Sequence, residues 1–339
     1  MTFPRQSEAE TLKRLLDANG QSFAAAERIL TNAASQAPTV AVAIERHIDL
    51  LTKANEGTIE AYRRIAKNHL NPTFGQLPID AVTEDDIIRW VQKNTANKVA
   101  RKTTANHMGL LSAVFKTAMR KGWCTRNPCE GVTLPNDQRP GTPTTFLTRD
   151  EYQLIRDHTP EEYQLLLDVL VGTGARFGEA TALTWDDLDL DADTPTIRID
   201  KAWRRIGSWE HEIRSPKSPT SKRTVAITKT LATALKNAPR RHEKYVFPGP
   251  AGGQLFSADF HKKAWKIALA AVGDKLRKKP RPHDLRHTHA SWLLAEGVPI
   301  FVVSRRLGHA STEITTRVYG HIMPSAHQAA VEALDRVLS

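Results

Sequence analysis

Four short strings in this 339-residue chain carry side chains that could do chemistry together: Thr173-Gly174-Ala175-Arg176-Phe177-Gly178-Glu179, Pro216-Lys217-Ser218, His283-Asp284-Leu285-Arg286-His287, and Leu307-Gly308-His309 with Tyr319 ten residues after that histidine. Arginine offers a permanent cation whose planar fork matches two phosphate oxygens. Histidine exchanges protons near neutral pH. A phenol, with a pKa near 10, becomes nucleophilic only beside cations or a base. Read singly, each string has a plain structural account: an arginine after a glycine turn caps a helix, one lysine among many is solvated, and a histidine on an amphipathic helix is a satisfied core group. His283 and His287 also stand four apart, the spacing of the two zinc-binding histidines of a metalloprotease helix. That motif needs Glu in second place. Here Asp284 is one methylene shorter and Arg286 would set a cation beside the metal, so no metal site is expected.

These side chains need a scaffold. Apolar residues recur at helical spacing at Val40, Ala43, Ile44, His47, Ile48 and Leu51, at Ile59, Tyr62, Ile65, Ala66 and His69, and at Leu110, Leu111, Val114, Phe115 and Met119. A further helix is predicted from Thr83, where Thr83 and Asp86 have capping-box spacing ahead of Ile87, Ile88 and Val91. Pro135, Pro140, Gly141 and Pro143 then mark a linker. Beyond it, Thr148 and Glu151 repeat the capping-box pattern before a helix through Leu165, Leu166, Val169 and Leu170 that Gly172 and Gly174 should end. Strands are predicted at Thr196 to Ile199, around Ala202 to Arg205 and at Thr224 to Ile227, and the remainder reads as helical. The expected fold is mainly α with one small antiparallel β-sheet, because strands do not alternate regularly with helices. The expected organisation is an N-terminal helical extension at 1–36, a helical bundle at 37–134, a linker at 135–146 and a larger domain at 147–339. Ser7 and Glu10 could cap a helix through Leu12, Leu15 and Leu16 in the extension.

The chain holds 48 Lys plus Arg against 37 Asp plus Glu, a net charge of +11. Residues 1–36 contribute nothing to this excess. From Lys93 to Cys129 the chain carries Lys93, Lys98, Arg101, Lys102, Lys116, Arg120, Lys121 and Arg126 and no acidic residue. A solvated helix face ordinarily mixes signs. One-sign density in a folded segment suits phosphate neutralisation with counterion release, so this run is expected to bind DNA or RNA. With Cys124 and Cys129 as the only cysteines, a reducing, cytoplasmic setting is expected. No apolar run is long enough to span a bilayer, and no secretory signal core is present.

The order Arg176, Lys217, His283-x-x-Arg286, His309, Tyr319 along one domain resembles the tyrosine recombinases, the phage integrase family. The resemblance covers residues from about 37 to 339, and the bundle looks like the family's core-binding, SAM-like domain. It implies a site-specific DNA recombinase, a phage or mobile-element integrase that joins a viral or mobile genome to its host. Such an enzyme cleaves and rejoins DNA through a 3′-phosphotyrosine and a Holliday junction, without cofactor or metal. Cleaving a phosphodiester this way requires a nucleophile, neutralisation of a phosphorane-like transition state and a proton for the departing 5′ oxygen.

By that resemblance Tyr319 is the nucleophile, Arg176 and Arg286 clamp the phosphate, and His283 is the candidate base. His309 would donate to a nonbridging oxygen, Lys217 would be the general acid, and Glu179 would orient the site's groups. Lys201, Lys222 and Arg223 are alternatives to Lys217. The implied partner is double-stranded DNA, with a homo-tetramer on paired sites, DNA-bending accessory proteins and a place on a prokaryotic nucleoid. The apolar stripe Ala326, Ala330, Val331, Leu334, Val337 and Leu338 is expected either to dock on a neighbouring subunit or to pack within its own chain. Many integrases carry an N-terminal arm-binding domain, of which residues 1–36 would be a remnant. A type IB topoisomerase and a DNA-binding factor without catalysis are the competing readings.

Overall fold

The computed structural model describes residues 36–136, 145–206, 210–215 and 219–320, together with Lys13, Val331 and residues 334–338. The chain forms two compact units, Met1–Gly141 and Thr142–Ser339. The predicted helix through Leu12, Leu15 and Leu16 lies outside the described residues.

The first unit is a bundle of α1 (Val40–Asp49), α2 (Glu56–Ile65), α3 (Asn71–Phe74), α4 (Glu84–Ala96) and α5 (Arg101–Arg120), with a π turn at Ala66–Leu70 joining α2 to α3. Local chemistry starts most of them. Asn55 Oδ1 accepts from Thr58 N at 3.0 Å, and Thr83 and Asp86 close the expected capping box, with Thr83 N donating to Asp86 Oδ2 at 2.9 Å. Glu84, Asp85 and Asp86 in the first turn of α4 also suit its positive end. The apolar faces meet in a core that includes Ile44, Leu70, Phe74, Trp90, Leu111 and Phe115. α5 differs from its neighbours. Ala100 gives it no side-chain cap, and its first turn has no acidic residue.

The second unit starts with α6 (Arg149–Asp157), α7 (Glu161–Thr173) and α8 (Phe177–Ala180), followed by strands β1 (Leu188–Asp189), β2 (Thr196–Ile199), β3 (Ala202–Ile206), β4 (Glu210–Arg214) and β5 (Arg223–Ala226). Then come α9 (Lys229–Lys236), α10 (Ser257–Phe260), α11 (Lys266–Val272), α12 (Asp284–Ala295), α13 (Ile300–Leu307) and α14 (Thr312–Tyr319). The second expected capping box is present, with Thr148 N donating to Glu151 Oε2 at 2.8 Å. Mainly helical architecture with small antiparallel sheets is what the sequence predicts, with one correction. The strands form two sheets instead of one: β1-β2-β5, and a separate β3-β4 hairpin. β2 pairs β5 through Ile197↔Val225, which brings Arg223, at the start of β5, opposite Ile199.

The main core packs α7 residues Leu166, Leu167, Val169 and Leu170 against Ile197, Val225, Trp265 and Leu285. A smaller cluster of Ala290, Leu294, Val303, Leu307 and Tyr319 ties α12, α13 and α14 together. α14 is thereby anchored by Tyr319, which is only 1% exposed. Two glycines shape the site beneath. Gly174 ends α7 in the left-handed region (φ 66°), and a Cβ there would sit 2.6 Å from His289 Cδ2. Gly308 ends α13 the same way (φ 67°), with a Cβ position 3.1 Å from Arg223 Nη1.

Candidate active site

The C-terminal carbonyls of a helix lack intrahelical partners and sit at its negative end. Here arginines take them. Arg286 Nη1 donates to Gly174 O and its Nη2 to Leu307 O, both at 2.6 Å, so one buried guanidinium clamps the ends of α7 and α13. Arg223 Nε donates to Arg306 O at 2.6 Å. Arg306 Nη2 in turn reaches Ala226 O at 3.0 Å and Gly172 O at 3.3 Å. His289 Nδ1 lies 2.7 Å from Val171 O. A carbonyl only accepts, so that ring nitrogen carries the hydrogen.

Among the described residues, Glu179 is the one carboxylate bonded within this group of cations. It is buried at 3% exposure. Its Oε1 accepts from Arg176 Nη1 at 2.8 Å, its Oε2 from Arg176 N at 2.9 Å and from Arg223 Nη2 at 2.8 Å. Burial opposes its charge, but Arg223 and Arg176 outweigh burial and hold the carboxyl below the usual carboxylate range. The Arg223 side chain is 6% exposed and that of Arg176 is 43%, so Arg176 is the member of the trio open to solvent. Burial, with Arg176 and Arg223 adding to it, presses the Arg286 pKa downward. Such a cluster has more positive charge than its one carboxylate balances, and an anion placed beside it would be favoured.

α12 carries the next group. His283 stands just ahead of it, exposed, and among the described residues it makes no hydrogen bond; its ring meets that of His287 edge-on, with centroids 5.2 Å apart. His287 Nδ1 lies 2.6 Å from Tyr319 Oη. Burial first, then His283, pushes the His287 pKa down to about 4, so the ring is neutral at neutral pH. Burial raises Tyr319 to about 12, against the opposing pull of Arg286. His309 follows Gly308, its Nδ1 2.8 Å from Thr315 Oγ1. Burial, then Arg286, Arg176 and Arg223, lowers it to about 4.

The sequence matches the Phage integrase family over residues 145–325, which is more than half of the chain. The chain belongs to the phage integrase family. Residues 40–133 match the phage integrase central domain. A XerC-like tyrosine recombinase of Caldanaerobacter subterraneus is 26% identical over 303 residues, covering 81% of this chain and 75% of the relative. Among solved structures, the Tn1549 transposon integrase in complex with a circular intermediate DNA superposes with a TM-score of 0.76 at 20% identity, covering 88% of this chain and all of that one. A lambda integrase tetramer bound to a Holliday junction superposes at 0.61 with 18% identity, covering 83% and 80%. Tyrosine-class site-specific recombination is the activity of this family, and of this chain.

Set on this integrase fold, five of the six residues expected to do chemistry are described, and they cluster. Arg176 and Arg286 act electrostatically on each other and on both His283 and His309, and Tyr319 joins them through Arg286 and His287. Glu179 is no surface helix residue but the buried partner of two arginines. Lys217 lies outside the described residues. Of its alternatives, Lys201 is bonded to the fully buried Asp187 and Arg223 to Glu179, while Lys222 is exposed. Sequence reasoning missed Arg306 and His287 as members of the site, and named Arg223 only as an alternative to Lys217, not as the partner of Glu179. His287 was visible beside Arg286, and Arg306 one turn ahead of His309, yet nothing local says what either touches.

The eight basic residues from Lys93 to Arg126 are all exposed. Lys102, Lys116, Lys121 and Arg126 form no ion pair among the described residues. A second run escaped notice: Lys262, Lys263, Lys266, Lys275, Arg277, Lys278, Lys279 and Arg281, interrupted by Asp274 alone. All but Lys278 are exposed. Among the described residues no helix is long and apolar enough to cross a membrane, and no three metal-ligating side chains gather.

Proposed function

We propose that this integrase cuts duplex DNA by attack of Tyr319 on a phosphate held between Arg176 and Arg286, then reverses the step on a second strand. The observation that carries this reading is the arrangement of Tyr319 and a buried arginine cluster, with a single carboxylate bonded inside it, in one unit. Arg286 is fixed by two helix-end carbonyls, so it meets a phosphate already oriented. Arg176, half open, closes on the phosphate from the solvent side. Each preorganised donor of this kind is worth about 3 to 4 kcal/mol in a transition state.

His309, neutral in this environment, donates to a nonbridging oxygen. Glu179 holds Arg176 and Arg223 in place. Lys217 supplies the proton to the departing 5′ oxygen, because Lys201 is committed to Asp187. A phosphotyrosine ester keeps the energy of the broken bond, so rejoining requires no nucleotide cofactor.

The exposed basic run of the first unit grips the backbone around the cleavage site. Arg101 and Lys102 stand at the uncapped, positive end of α5, where like charge costs stability unless phosphate is present. Two sites and four subunits are then needed for exchange through a Holliday junction, with DNA-bending proteins assisting. Val331, Leu334, Val337 and Leu338 are 54 to 81% exposed, the apolar surface that a neighbouring subunit would cover. Ala326 and Ala330 lie outside the described residues.

A nicked suicide substrate carrying the core site tests the central assignment. Wild-type protein should trap a covalent protein–DNA adduct, and Tyr319→Phe should trap none. An adduct that survives Tyr319→Phe refutes Tyr319 as nucleophile.

A further inference from the structure

The reading of Tyr319 as nucleophile leaves one question of chemistry open: where the phenolic proton goes. Tyr319 is 1% exposed, which denies its hydroxyl to bulk water in this conformation. The base that family resemblance implies, His283, is exposed and makes no hydrogen bond among the described residues. Among the described residues, its ring meets that of His287, which in turn meets Tyr319. His287 Nδ1, at 2.6 Å, is the side-chain atom hydrogen-bonded to Tyr319 Oη. That distance is within the reach required of a general base.

We propose that His287 is a catalytic residue of this integrase, the group that holds the Tyr319 hydroxyl and accepts its proton during strand cleavage. As the Oη–P bond forms and the P–O5′ bond breaks, the proton passes from Oη to His287 Nδ1, and the 5′ oxygen takes a proton from the general acid assigned to Lys217. Rejoining runs both transfers backwards. The His287 pKa, lowered to about 4 chiefly by burial, leaves the ring neutral at neutral pH, so Nδ1 accepts from the Tyr319 hydroxyl in the tautomer whose hydrogen sits on Nε2. The same lowering makes it a weak base in the absence of DNA.

The groups facing His287 define what happens as it charges. On and ahead of α12 these are His283, Asp284, Arg286 and Arg281; from α14 it is Tyr319; and His309 is coupled to it from the end of α13. Asp284 is 1% exposed and favours the imidazolium, while the arginines oppose it. A phosphate bound to Arg286 removes part of that opposition, so proton acceptance by His287 becomes easier when the substrate is in place.

Single-turnover adduct formation on the suicide substrate, followed from roughly pH 6 to 10, tests the inference. His287→Ala should bind the core site normally yet form adduct roughly 100- to 10,000-fold more slowly at pH 7. Its rate should then climb about tenfold per pH unit as hydroxide replaces the missing base, a slope the wild type lacks. A rate near wild type, or a drop equal at every pH, overturns the inference and leaves Tyr319 untouched. An adduct in Tyr319→Phe overturns the nucleophile itself, and so the two failures are distinct. If His287→Ala melts, His287→Gln fills the site without taking a proton and should show the same profile. Nitrogen NMR of the wild type adds an independent check: the His287 ring should carry its hydrogen on Nε2, and an Nδ1–H tautomer refutes the assignment.

Discussion

Two helices of this chain end on a left-handed glycine in opposite surroundings. α5 closes at Lys121 with Gly122 behind it (φ 71°), and a Cβ there would meet nothing within 4 Å. α7 closes at Gly174 (φ 66°), where a Cβ would lie 2.6 Å from His289 Cδ2 and 2.8 Å from Leu307 Cδ2. The arginines nearby follow suit. Arg120 of α5 is exposed and bonds to Thr117 of its own helix. Arg286 is 4% exposed and bonds carbonyls 112 and 21 residues away in sequence. Arg120 decorates its own helix, whereas Arg286 joins segments that converge on one point. A diffuse polyanion suits the former, a single phosphate the latter.

Truncating an arginine in each unit should expose that difference most strongly. Arg286→Ala removes two donors from the phosphate clamp and is expected to slow adduct formation by roughly 1,000-fold or more. It also leaves two helix-end carbonyls unmet, at a stability loss of about 2 to 4 kcal/mol. Arg120→Ala should change stability by less than about 0.5 kcal/mol. Suicide-substrate kinetics and denaturant melts of both variants decide the matter, and a similar penalty at the two positions would break the contrast.

Alanine at the two glycines is the next test. At Gly122 it should cost about 1 to 2 kcal/mol, the penalty of a left-handed Ala alone. At Gly174 the clash adds to this, since His289 is tethered to Val171 O and cannot move freely, for a total of about 3 to 5 kcal/mol. Melting curves should therefore differ by about 2 kcal/mol between the variants.

The elements differ in how far they could be read from sequence for the same reason. Capping boxes at Thr83 and Thr148 are contacts between residues three apart, so their spacing announces them. The left-handed end of α7 was legible in Gly174. Strand β4 was not, because Glu210-His211-Glu212-Ile213-Arg214 has no apolar alternation and is a strand by virtue of its pairing with β3. Arg223 bonds Glu179 across 44 residues and His287 meets Tyr319 across 32. Contacts of that span are products of the fold. The residue types of the site could be recognised in order along the chain, but which arginine is bonded to which carboxylate could not.

Acidification offers a smaller contrast. His287, His289 and His309 fall to about 4, 3 and 4 in the second unit, while His47 and His107 are lowered in the first. In each case the unfolded chain binds protons from about pH 6.5 downward and the folded chain does not until lower pH, so stability falls as pH drops through this window. With more strongly lowered histidines, the second unit should lose stability faster between about pH 6.5 and 4. Thermal melts across that range, read by the tryptophans of each unit, should show its transition moving further; equal movement would contradict the environments described.

The smallest effects belong to single lysines of the first unit. Lys102 and Lys116 are exposed and hold no carboxylate among the described residues, so truncating either leaves no buried group unmet. Stability should stay within about 0.5 kcal/mol of wild type. Binding should still respond, because each cation that neutralises a phosphate releases a counterion. For a Lys102→Ala variant the slope of log affinity against log salt should become shallower by about 0.9, equally for core-site and random duplex. Titrations at several salt concentrations on both DNAs measure this directly. If the loss were confined to the core site, Lys102 would be reading bases rather than backbone, and the division between a diffuse grip in one unit and a focused clamp in the other would have to be redrawn.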